Sequence, residues 1–133
     1  MKYLCLAYED ERKFHEMSEA DWQALRQETL DYVDSLQRSG RLILTHPLRS
    51  ATTAATVRIR GGNLSITDGP FAETKEQIGG FFLIEAATFE EAVQVATKWP
   101  SARIGSIEVR PVDEGLRMDR RYAPPATPSV TSL

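Results

Sequence analysis

Two stretches of this sequence recur at helical period, and each lies between apolar runs of strand length. That order constrains the fold more than any other feature. In the first stretch Trp22, Leu25, Thr29, Val33 and Leu36 fall on one stripe, while Glu28, Asp31, Asp34 and Gln37 turn outward. Ser18 with Asp21 three residues on is an acidic variant of the capping box, and Arg38 and Gly40 mark the end. In the second, Phe89, Ala92, Val93, Ala96 and Trp99 form the stripe, opened by Thr88 with Glu91 and closed by Pro100. Strands are expected at Tyr3–Tyr8, at Leu42–Leu44 running on to His46-Pro47, and at Ile107–Arg110 before Pro111. Phe81–Ile84 is continuously apolar, the pattern of a strand buried on both faces. Ala55–Arg60 alternates and returns through Leu64 and Ile66 about a Gly61-Gly62 hairpin turn. Residues 9–17 read as a charged connecting loop.

With the hairpin set aside, the order is βαββαβ. This predicts an α+β fold of the ferredoxin-like type, an antiparallel sheet with both helices on one face and an inserted β-hairpin. The other face is left without cover. Its apolar residues are drawn from Leu4, Leu6, Phe82, Ile84, Ile107 and Val109, and a two-fold that packs sheet on sheet is the simplest cover. A homodimer is therefore expected. Phe81, Phe82, Trp22 and Trp99 are assigned to the core or to that interface.

Composition narrows the function. A chain of 133 residues fits one domain, read here as residues 1–112 followed by a Pro-rich tail, 113–133. The net charge is −3 and the basic residues form no run, so no nucleic-acid partner is expected. No apolar run reaches the length of a membrane span, and the first strand turns acidic at Glu9-Asp10-Glu11 with no signal-peptide pattern. A cytoplasmic protein with no membrane partner is expected. Cys5 is the single cysteine and sits in a strand pattern as a small hydrophobe. With only Cys5, His15 and His46 as soft ligands, neither a metal nor a cofactor is expected.

One segment stands apart: Asp68-Gly69-Pro70-Phe71-Ala72-Glu73-Thr74-Lys75-Glu76-Gln77. It resembles the signature of the DGPF-domain, YCII-related family of small bacterial proteins. Three other stretches are similar to that family's pattern: Met1–Leu4 with Tyr8, Ala54–Arg58, and Gly105–Pro111. The resemblance implies a dimeric α+β barrel. Relatives in the YCII branch are suspected of using a His-Asp pair with the histidine on the first helix. The corresponding stretch here is Glu28-Thr29-Leu30-Asp31 and holds no histidine. DGPF proteins are often encoded beside alternative sigma factors, which implies a regulatory role for some.

The candidate site is assembled from ionisable groups near that segment. Asp68 and His46, each at a strand end, and Glu73 are candidate catalytic acids or bases. Lys75, Glu76, Arg58 and Tyr8 are candidate ligand-binding groups. Each also has a plainer reading. Asp68 completes a turn, the loop charges are solvated or pair as Asp68 with Lys75, and Arg58 and Arg60 guard a strand edge. His15 is read as solvated. Two functions stay open. One is a homodimer that binds a small, anionic organic molecule and catalyses a cofactor-free proton-transfer or lyase-type step. The other is a non-catalytic regulatory or protein-interaction module. The enzyme reading expects at least two of Asp68, Glu73, Glu76, Lys75 and His46 to meet in one concave site.

Overall fold

The computed structural model describes residues 1–115 and 122. The elements follow the order β1 (Lys2–Glu9), α1 (Glu11–His15), α2 (Glu19–Arg38), β2 (Leu42–Pro47), β3 (Ala55–Arg60), β4 (Asn63–Asp68), β5 (Gln77–Glu85), α3 (Phe89–Thr97) and β6 (Ser106–Pro111). Four strands form one antiparallel sheet in the order β2-β5-β1-β6, and β3 with β4 forms a separate two-stranded sheet. This is the ferredoxin-like split unit with an inserted hairpin, the protomer architecture of the dimeric α+β barrels. Most of the segment read as a tail lies outside the described residues.

Local chemistry accounts for the helices. The Ser18 hydroxyl accepts from the Asp21 N–H and the Thr88 hydroxyl from the Glu91 N–H, at 3.1 Å each. The expected loop at 9–17 is in part a helix. Asp10 caps α1 by accepting from the Arg12 N–H at 3.1 Å, and Phe14 packs edge-on against Trp22 with ring centroids 6.1 Å apart. An Asp cap and one aromatic contact suffice to hold a single turn that apolar period alone does not reveal.

Strand parity sorts the core. Tyr3, Cys5 and Ala7 of β1 oppose Ile84, Phe82 and Gly80 of β5, and all six are buried. Of these, Tyr3, Cys5, Phe82 and Ile84 join Leu36, Ala86, Ala92, Val95, Ala96 and Trp99 in the cluster between sheet and helices, where Phe82 stacks on Trp99 at 3.9 Å. Ile107 and Val109 pack partly buried on the same cluster. Of the six residues proposed for the uncovered face, Phe82, Ile84, Ile107 and Val109 thus belong to the helix side. Leu4 and Leu6 lie on the other side, opposite Leu83 and Phe81. Four consecutive apolar residues do not reveal parity, which is why β5 was misassigned. Trp22 is also not core: it is 39% exposed.

Candidate functional site

The odd-numbered parity of β1 continues one residue beyond the core, to Glu9. This places its carboxyl on the helix side, where α2 and the sheet separate. The space there is a cavity of about 600 Å³. Its walls are Phe14, Trp22, Leu25, Val33, Leu48 and Phe82, and polar groups enter from Glu9, Glu11, His15, Arg26 and Thr29. The capped turn of α1 brings Glu11, Phe14 and His15 to it. Among the described residues no helix is long and apolar enough to cross a membrane.

Glycine makes the room for Glu9. The pairing of β1 with β5 shifts register between Ala7 and Tyr8, which leaves Gly79 facing the Glu9 side chain. A Cβ at Gly79 would collide with Glu9 Oε2. At Gly80 a Cβ would come within 3.1 Å of the His46 carbonyl oxygen, so this glycine admits the close approach of β2. The Glu9 carboxyl has no hydrogen-bond partner among the described residues. Burial, then the negative charge of Glu11, pushes its carboxyl above the usual carboxylate range. Glu11 accepts a hydrogen bond from Ser50 Oγ at 3.1 Å. A carboxyl favoured in its neutral form beside an apolar chamber can donate a proton to a bound oxygen and take it back. Among the described residues no group of three His, Cys, Asp or Glu is placed to hold a metal.

The residues proposed from the sequence are dispersed. His46 borders the cavity, but its register opposite Phe81 and a ring separation of 6.1 Å set the imidazole with that residue on the other side of the sheet. Lys75 lines a second, smaller hollow of about 300 Å³ with Asp10, Arg12 and Gln77. Asp68 and Glu73 are exposed, and no ion pair joins Asp68 to Lys75 among the described residues. Glu76 accepts from Ser106 Oγ at 2.9 Å. Tyr8 Oη donates to Glu108 at 3.0 Å, a bond that raises its pKa. The Arg58 guanidinium lies 5.1 Å from the Phe71 ring centre. Of the five groups expected to meet in one concave site, the larger cavity is lined by His46 alone and the smaller by Lys75 alone.

The segment from Asp68 to Gln77 instead anchors the hairpin. The Gly69 N–H donates to the Ala54 carbonyl at 2.7 Å, and Thr56 Oγ1 donates to the Gly69 carbonyl at 3.0 Å. Gln77 Nε2 donates to the carbonyls of Ala72 at 2.7 Å and Thr74 at 3.0 Å. Glu9, Glu11, His15 and Arg26, which line the cavity, are not among the site residues expected from the sequence. Two signals were present: the unbroken parity Tyr3-Cys5-Ala7-Glu9, and paired glycines inside a strand.

The model of the YCII-related domain matches residues 1–115. An uncharacterized protein of Rhizobium meliloti (strain 1021) is 36% identical over 114 residues, covering 84% of this chain and 92% of that protein. Among solved structures, a 5-chloro-2-hydroxyhydroquinone dehydrochlorinase from Burkholderia phenoliruptrix AC1100, in complex with 2,5-dihydroxybenzoquinone, shares the fold. Its TM-score is 0.51 at 15% identity, over 84% of this chain and 93% of that one.

Proposed function

This chain belongs to the YCII-related family, and from that premise we propose that it binds a small oxygenated organic molecule between α2 and the sheet. There it carries out a cofactor-free acid/base step. The observation that carries this reading is the desolvated, unpartnered Glu9 carboxyl facing an apolar cavity. Glu9 is the acid that protonates, or the base that deprotonates, an oxygen or carbon of the ligand. Glu11, His15 and Arg26 set the charge around it. The apolar walls favour a ring-sized ligand. The likeness to a dehydrochlorinase supports a proton-transfer or lyase-type step at the level of fold alone. The working unit is a cytoplasmic homodimer joined through the uncovered sheet face.

Backbone NMR titration tests this with 2,5-dihydroxybenzoquinone, catechol and salicylate as probes. The expected result is perturbation confined to Phe14, Thr29, Gly79 and their neighbours, for at least one probe. Deuterium exchange into the ring of the bound quinone should be faster with the parent than with Glu9→Gln. Perturbations at Glu73–Gln77 instead, or none with any probe, would overturn the reading.

A further inference from the structure

The wall that α2 gives the cavity has two rows. Leu25, Thr29 and Val33 are half-buried and lie inward, while Trp22, Arg26 and Leu30 are exposed and form the rim. Each row repeats every four residues, so Arg26 stands one turn from an apolar neighbour on either side. Arginine in such a setting is normally paired. Among the described residues Arg12, Arg38, Arg103 and Arg110 each pair with a carboxylate, whereas Arg26 has neither an ion pair nor a hydrogen bond. Its own helix offers it no acid, because the positions three and four residues away hold Trp22, Gln23, Thr29 and Leu30.

Both threonine hydroxyls of the wall are already used. Thr29 Oγ1 donates to the Leu25 carbonyl at 2.8 Å, and Thr45 Oγ1 to the Phe81 carbonyl at 2.9 Å. The acids lie on other elements. Glu9 is carried by the sheet against Gly79, and Glu11 by α1, where it accepts from Ser50. The rise in the pKa of Glu9 comes from burial and Glu11, and Arg26 is not among its causes, which sets the two groups apart in the cavity. An anion that enters is repelled at Glu11 and attracted at Arg26. The field therefore orients a ligand with its charge at the rim and its uncharged end at Glu9. One guanidinium suits a monoanionic carboxylate, which its fork of N–H groups can hold in two parallel bonds. It is a poor match for the greater charge of a phosphate beside Glu11.

We infer that the ligand of this cavity is a ring-sized hydroxy acid, with its carboxylate held by Arg26 at the rim and a ring oxygen reaching Glu9 at the sheet. Arg26 is then the residue that selects acids over neutral phenols and fixes which end of the ligand meets Glu9. The inference rests on the cavity being the ligand site.

Isothermal titration of the full chain at neutral pH tests it with gentisate, with gentisamide as its uncharged counterpart, and with hydroquinone, which lacks the group altogether. Gentisate is expected to bind about tenfold more tightly than gentisamide, the ordinary yield of one charge-assisted contact. That preference should shrink as salt is raised. Arg26→Gln should remove it and leave hydroquinone binding as in the parent. Arg26→Lys should restore part of it, since the charge returns without the fork. Arg26 is exposed, so both variants should keep the circular dichroism of the parent. Three results would overturn this inference alone: equal affinity for gentisate and gentisamide, a preference that survives in Arg26→Gln, or a loss of hydroquinone binding in that variant as large as the loss of gentisate. The second would place the carboxylate on another cation, and the third would give Arg26 a role in shape rather than charge. Binding of none of the three probes would overturn the cavity as the ligand site and this inference with it.

Discussion

At the scale of the residue, Glu9 and Gly79 act as one device. The strand carries the carboxyl to the edge of the core, and the missing Cβ opposite lets it lie there. The consequence for pH has a definite sign. The folded state raises the pKa of Glu9, so the protein holds that proton more tightly than the unfolded chain. The resulting stability is complete below about pH 4, the range of an unperturbed glutamate, and is lost as pH rises through the raised value. Glu9→Gln removes this dependence. The thermal midpoint of the parent is expected to fall relative to Glu9→Gln between acidic and neutral pH; parallel curves would mean that the carboxyl is not desolvated. Cys5 lies nearby in the strand, where burial pushes its thiol up to about 12, in keeping with its reading from sequence as an inert hydrophobe. Glu9 was legible too, but only by counting parity past the last apolar residue of β1.

At the scale of the element, the long helix and the strands were legible because period and cap coincide. Ser18 closes the N-terminus of α2, whose Trp22, Arg26 and Leu30 border the cavity. Ser18→Ala leaves the Asp21 N–H without its partner and should cost about 1 kcal/mol. The expected loss in thermal midpoint is about 4 °C by calorimetry. An unchanged midpoint would mean that water replaces the cap. The short α1 was not legible: five residues show no period, and its hold is the Asp10 cap with the contact of Phe14 on Trp22. The segment from Asp68 to Gln77 was the most conspicuous in the sequence and was read as a site. Its bonds to Ala54 and Thr56 make it the footing of the hairpin. Charged side chains close together in sequence need not converge in space, since successive loop residues point in different directions.

At the scale of the whole molecule, the helix layer covers one side of the sheet and leaves Leu4, Leu6, Phe81 and Leu83 on the other. An aspartate there would be desolvated in a dimer that packs sheet on sheet and merely solvated in a monomer. Leu6→Asp is expected to sediment as a monomer, with the circular dichroism of the parent retained. A dimer that survives this change would place the interface elsewhere. The order of the strands and the two longer helices, the helix caps and the hairpin followed from the sequence by itself, because each depends on local periodicity. The tertiary structure alone decided which face Phe82 and Ile84 occupy, where α2 parts from the sheet, and that Glu9 rather than Asp68 or His46 enters the gap. The physical reason is that a cavity is set by the distance between layers. That distance depends on how Phe82, Trp99 and Leu36 pack at one end and how two glycines yield at the other, a balance of long-range contacts that no local pattern records.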